Sequence, residues 1–204
     1  MRSSPVFKRI ILAAALAGIA FGASAQAAAD KPLEYQMDPT HTVVLASWNH
    51  FGYSNPSAYF GDVTGTITYD ADSPADSKVE VVLPMSGLDS FVPKLDEHLR
   101  SADFFDAAQY PEARFTSTSV RDLGDGKLEV TGDLALHGVT RPVVLAVTLN
   151  KAAPHPMMGD TPTIGFDATT TISRSAFGID KYVPMVSDAV TLRITTEASV
   201  AGEG

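Results

Sequence analysis

The 204-residue chain is 45% hydrophobic, 8% aromatic and 19% charged, a balance that suits one well-cored domain and excludes a disordered chain. It holds 24 Asp and Glu against 15 Lys and Arg, a formal net charge of −9, so no nucleic-acid partner is expected. Cysteine is absent, which excludes disulfides, thiol nucleophiles, Cys-bound metals and lipid anchors on a terminal cysteine.

The first segment reads as an export signal. Arg2, Lys8 and Arg9 precede an apolar run from Ile10 to Phe21, and the small residues Ala23-Ser24-Ala25 follow. A positive start, a short apolar stretch and an A-x-A site make a secretory signal peptide over residues 1–25. The run falls short of the roughly 20 residues that span a bilayer. The expectation is a periplasmic protein whose single domain occupies residues 26–204.

From there the chain alternates apolar and polar residues, the two-residue period of half-buried strands. Val44, Ala46, Trp48 and His50 share one face of the first long strand, and Val63, Gly65, Ile67 and Tyr69 a face of the next. Val79, Val81 and Leu83 follow and stop at Pro84. A helical spacing then interrupts, with Leu95, His98 and Leu99 on one side, Ser101 placed to cap a second short turn, and Tyr110-Pro111 closing the excursion. Strands resume at Phe115–Thr118 and at Leu128, Val130, Leu134 and Leu136; Gly124-Asp125-Gly126-Lys127 is the hairpin signal between them. His137-Gly138 marks another reversal. Pro142 is read as opening the strand of Val143, Leu145, Val147 and Leu149. Ile164, Phe166, Ala168, Thr170 and Ile172 share a face of the next strand, and Val190, Leu192, Ile194, Thr196 and Ala198 of the last.

No βαβ alternation occurs, so the sheet is antiparallel and the fold all-β. Two architectures remain: a sandwich, which buries its inner faces against each other, and a closed barrel, which at about eight strands has room for side chains or one ligand.

Four ordered segments carry a resemblance. They are Asp38-Pro-Thr-His41 with Asn49-His50; His98-Leu-Arg-Ser-Ala-Asp-Phe-Phe-Asp106 with Tyr110-Pro111 and Phe115; Val130 to Val143 through His137-Gly-Val-Thr-Arg-Pro; and Gly165-Phe166 through Ile172-Ser-Arg-Ser-Ala-Phe-Gly-Ile179. Together they resemble the YceI-like family of exported, lipocalin-like proteins that bind polyisoprenoids. The resemblance spans residues 35–200 and departs from the pattern at 151–162 and 182–185. It implies a lipocalin-like antiparallel β-barrel of about eight strands with a short helical excursion. It also implies an apolar cavity for the prenyl tail of an isoprenoid quinone or a polyprenyl phosphate.

On that reading the cavity wall comprises Val44, Ala46, Trp48, Phe60, Phe115, Phe166, Ala168 and Ile172, each of which by itself is also an ordinary core residue. His50 shares strand parity with Trp48 and is placed either to bond a quinone carbonyl or to bond a neighbouring strand. Arg174 continues the Phe166–Ile172 face and is placed either to meet a head group or to pair with Asp180 or another loop acid. His98 and Arg100 read as a solvated helix face or a helix anchor, and His137 and Arg141 as serving their turn.

Other chemistries find no pattern. The five histidines form no H-x-H or H-x-x-x-H pair, and His155-Pro-Met-Met158 reads as an apolar loop near the cavity mouth rather than a copper site. No G-x-S-x-G, phosphate loop or dinucleotide fingerprint occurs. The expectation is therefore a non-catalytic binding, storage or transport protein with no metal and no cofactor beyond its bound lipid. Its partners are expected to be the isoprenoid lipid, the membrane in transient contact while loading, and a second copy as a homodimer. The competing functions are an exported β-barrel enzyme or stress factor acting on a small apolar molecule, and a purely structural or partner-binding β domain.

Overall fold

The computed structural model describes residues 32–201; the expected export signal at residues 1–25 lies outside them. Eleven strands make one antiparallel sheet: β1 (Leu33–Met37), β2 (Val43–His50), β3 (Ser57–Phe60), β4 (Thr64–Tyr69), β5 (Lys78–Pro84), β6 (Leu88–Asp89), β7 (Glu112–Gly124), β8 (Lys127–Leu136), β9 (Val139–Pro154), β10 (Pro162–Ser173) and β11 (Val186–Val200). One helix, α1 (Pro93–Arg100), lies between β6 and β7.

Eight strands close on themselves in the order β1-β4-β5-β7-β8-β9-β10-β11, because β1 pairs with β4 on one edge and with β11 on the other. Tyr35 sits opposite both Ile67 and Val200. This closure decides for the barrel over the sandwich. The long β11 then continues beside β2, with Val44 opposite Ile194, Ala46 opposite Leu192 and Trp48 opposite Val190. On its other edge β2 pairs with β3, and β3 with β6, so these three strands leave the ring as a flap at one end.

The hairpins follow from their turn residues. Asp125-Gly126 and His137-Gly138 each have φ > 0 at both positions (52° and 70°; 50° and 74°), the two-residue geometry whose twist matches the flanking strands. Pro142 does not open β9 but sits inside it, opposite Asp133. It is tolerated because β9 pairs with β10 only from Ala146 onward, so near Pro142 one edge of the strand has no ladder to break. A bulge between Ser117 and Ser119 shifts the register of β7 by one residue and turns Val120 inward, which the alternation does not disclose.

Inward positions are mostly apolar, with a few threonines such as Thr42, Thr170 and Thr196, while Glu80, Thr116, Asp133, Asp167, Arg193 and Glu197 on the outer face are exposed. A transmembrane barrel has the opposite polarity.

Candidate ligand-binding lumen

The core does not fill the barrel. An inner chamber of about 170 Å3 lies among β4, β5, β7, β8, β9, β10 and β11, and a mouth chamber of about 250 Å3 lies among β2, β3, α1 and the segment leading into β11. Val44, Leu83, Ala113, Leu134 and Leu192 border both, so the two adjoin end to end. Together they enter the roughly 300–1,000 Å3 range of small-molecule sites.

The wall of the inner chamber presents no polar surface. Two of its hydroxyls satisfy each other: Thr42 Oγ1 and Thr196 Oγ1 lie 2.8 Å apart, and both residues are buried. Phe115 reaches the lumen over Gly132, where a Cβ would come within 2.4 Å of the ring. Burial away from water raises the phenol pKa of Tyr69, which lines this chamber, and of its neighbour Tyr35.

The mouth chamber is built differently. Helix α1 starts at Pro93, a position where the missing N–H is no loss, and turns Leu95, His98 and Leu99 toward the lumen. Arg100 fixes its far end by donating to the carbonyls of Met85 (3.1 Å), Ser86 (3.3 Å) and Leu88. Asp96 accepts from the Ser90 backbone N–H at 2.7 Å and its hydroxyl at 2.5 Å, and these bonds hold the Asp96 carboxyl below its ordinary pKa. Ser101 ends α1 by donating to the His98 carbonyl, while its hydroxyl accepts from the Asp103 N–H at 3.3 Å and opens the short turn expected there.

All ten residues expected at the site lie on this lumen. Phe115, Phe166 and Ala168 line the inner chamber, Ala46, Trp48, His50, Phe60, Ile172 and Arg174 the mouth chamber, and Val44 both. Their local settings differ from expectation in two cases. The His50 ring has no hydrogen-bond partner among the described residues; it packs edge-on against Phe51 at 4.6 Å and is exposed at the opening. Arg174 is only 7% exposed and forms no ion pair with Asp180. It lies just past the end of β10, in a 3-10 turn (Arg174–Phe177). There its guanidinium donates to four backbone carbonyls, those of Ser187 (2.9 Å), Ile179 (2.8 Å), Lys181 (2.9 Å) and Val186 (3.0 Å). Desolvation lowers its pKa, while the nearby Asp188 and Asp180 act in the opposite sense. Of its five N–H donors one remains for a ligand.

Several residues of the mouth were not anticipated. His98 lines the chamber, with its Nε2 3.4 Å from Asp103 and its ring edge-on to Phe104 at 4.9 Å. Asp103 is also bonded to Lys181, which depresses the carboxyl and raises the amine. Phe104, Phe105 and Tyr182 complete the wall. The signal was present in the His98–Asp106 run and the i, i+3, i+4 spacing of Leu95, His98 and Leu99. His137 and Arg141 tie the β8–β9 turn to the 3-10 turn, at the carbonyls of Phe177 (3.0 Å) and Ala176 (3.3 Å). The His155–Met158 loop borders neither chamber; it joins β9 to β10 at the end of the barrel away from the mouth.

An eight-stranded antiparallel barrel, polar outside and hollow with apolar walls inside, defines a lipocalin-like β-barrel whose lumen is suited to binding one apolar molecule. The chain belongs to the YceI-like domain family, whose model matches residues 35–198. It is 40% identical over 166 residues to a UPF0312 protein of Pseudomonas putida strain W619, covering 80% of this chain and 85% of the relative. Among solved structures, BcnA of Burkholderia cenocepacia superposes with a TM-score of 0.71 at 23% identity, covering 79% of this chain and 98% of the other. A polyisoprenoid-binding domain from Saccharophagus degradans, implicated in plant cell wall breakdown, superposes with a TM-score of 0.65 at 15% identity, over 83% of this chain and 99% of that one.

Proposed function

We propose that this protein is a periplasmic, non-catalytic carrier or store of an isoprenoid lipid, with the tail in the inner chamber and the head group in the mouth chamber. The observation that carries the reading is the pair of adjoining chambers, one without polar surface and one bordered by His50, His98 and Tyr182. A saturated or prenyl chain is held by burial alone, at about 0.8 kcal/mol per CH2-sized group, so one five-carbon unit contributes roughly 3–4 kcal/mol before ordering costs. A few units suffice without a charged anchor. The polyisoprenoid-binding domain of S. degradans, similar in fold, supports the same ligand class.

The head group that fits best is neutral. Arg174 has four of its donors committed to carbonyls and Lys181 is engaged by Asp103, so a phosphate would meet little free positive charge. A quinone carbonyl or a hydroxyl needs only one or two hydrogen bonds, which the ring nitrogens of His50 and Nδ1 of His98, whose Nε2 faces Asp103, can supply. The test is native mass spectrometry with organic extraction on protein from the periplasmic fraction of its own host. The expected result is a chain shortened by the 25-residue signal and carrying a near-stoichiometric prenyl lipid with an uncharged head. Apo protein that also fails to take up added quinone would overturn the reading.

A further inference from the structure

The rim of the mouth chamber carries large apolar side chains on strained backbone. Phe51 and Tyr182 have φ of 53° and 66°, a region where bulky L-residues are rare and where glycine or asparagine would sit without strain. Yet both side chains are exposed, at 46% and 45%, beside Tyr53 at 92% and Met185 at 58%.

These four residues form one surface. The Phe51 N–H donates to the Met185 carbonyl at 2.9 Å, the Tyr53 N–H to the His50 carbonyl at 3.0 Å and the Val186 N–H to the Tyr182 carbonyl at 2.9 Å. Since His50, Tyr182 and Val186 line the mouth chamber, the patch is continuous with the opening of the lumen. Its charge is distinctive too. Residues 51–56 and 182–187 contain no charged side chain, in a chain with 24 acidic residues and a net charge of −9.

We infer that this rim docks on the surface of a zwitterionic bilayer, with Phe51, Tyr53, Tyr182 and Met185 entering the head-group layer so that the lumen opens onto the lipid. Aromatic side chains with a polar tip favour that layer, and exposed apolar patches of this kind mark interaction surfaces. An anionic surface would repel the acidic chain, whereas a rim in which Lys181, 5.5 Å from the Tyr182 ring, is neutralised by Asp103 suits a neutral one. The inference rests on the lumen's taking a membrane lipid, which is why its mouth should meet a bilayer.

The test uses the mature chain, phosphatidylcholine vesicles and flotation. Wild-type protein is expected to float with the vesicles equally at low and high salt. The variant Phe51→Asn, Tyr53→Ser, Met185→Gln is expected to lose about tenfold or more of that partitioning. It should keep its thermal midpoint or gain, because asparagine tolerates φ > 0. Quenching of Trp48, the chain's single tryptophan, by a short-tailed quinone in solution should be unchanged in the variant. A Tyr53→Ser, Met185→Gln variant, which alters no strained position, repeats the test should the triple variant not fold. The inference is overturned if wild type does not float, if the variants float as well as wild type, or if wild type is a dimer without vesicles and the variants are monomers. Flotation without Trp48 quenching would overturn the lumen reading and leave the docking in place.

Discussion

The two chambers of one barrel solve the same physical problem in different ways. Around the inner chamber the strands are paired on both sides except for β9 ahead of Ala146, so most backbone polar groups are satisfied before any side chain is chosen, and the wall can be almost entirely apolar. Around the mouth chamber the ring gives way to a flap, a helix and loops, whose carbonyls lack ladder partners. There side chains satisfy the backbone: Arg174 serves four carbonyls and Arg100 three. The polar residues near the opening are therefore mostly structural, and only those with open atoms, His50 and His98 above all, are available to a ligand. Arginine in a pocket is not by itself a head-group site.

That contrast can be broken most forcefully at Arg174. Replacing it with Leu leaves buried carbonyls without donors and should cost about 3–5 kcal/mol of stability in chemical denaturation. Lys should restore little, since an ammonium cannot reach four carbonyls arranged for a fork. A loss below about 1 kcal/mol would show that water satisfies the loop instead.

In the inner region the equivalent weak point is steric. Gly132→Ala places a Cβ 2.4 Å from Phe115 Cζ and 2.6 Å from the Thr116 carbonyl oxygen. The expected cost is about 1–3 kcal/mol, part of which Phe115→Leu should recover in the double variant while the clash with the backbone remains.

Ligand capture should separate the chambers further. Ala168→Phe fills the inner chamber and should weaken long-tailed lipids about tenfold or more while sparing short-tailed ones. Ala46→Trp, in the mouth chamber, should weaken both. Equal effects of the two substitutions on all tail lengths, measured by Trp48 quenching or native mass spectrometry, would contradict the assignment of tail and head.

The smallest effects concern pH. Between β1 and β2, Asp38 Oδ2 lies 2.7 Å from His41 Nδ1, and this bond with those from Thr40 lowers the Asp38 pKa from 3.8 to about 2. A depressed carboxyl stabilises the fold above its ordinary value and loses that contribution as pH falls from about 3.8 toward 2. The raised pKa of His41 acts in the other sense, contributing below 6.5 and fading as pH climbs through the raised value. At the mouth Asp103, held by Lys181, behaves as Asp38 does. His41→Asn should move Asp38 toward 3.8 and leave Asp103 alone, and Lys181→Met should do the reverse, both followed by carboxyl NMR titration.

The alternation along each strand was enough to sort inward from outward residues wherever a strand is regular, as at Val44, Ala46, Trp48 and His50 or at Phe166, Ala168 and Ile172. It failed where a bulge shifts the register, which hid Val120, and where an edge without a partner tolerates a proline, which misplaced the start of β9. Arg174 shows the limit most clearly. Spacing correctly carried it onto the lumen, but its partners are carbonyls 5 to 13 residues ahead. A carbonyl has no residue type to betray it. Nor does local spacing disclose that His98 meets Asp103 while Lys181 reaches the same carboxylate from a loop 78 positions away.

By itself, then, the sequence determined eight of the strands, most of their inward faces, the hairpin turns and the family, because pleat periodicity and turn φ angles are imposed by neighbouring residues; it left β1, β3 and β6 unread. Only the tertiary structure decided that β1 joins β4 to β11 and closes the barrel, that the lumen divides into a carbon-walled inner chamber and a polar-bordered mouth, and which polar groups are already committed. Those outcomes depend on contacts between segments far apart in the chain, where pairing and hydrogen-bond satisfaction are settled by the whole fold.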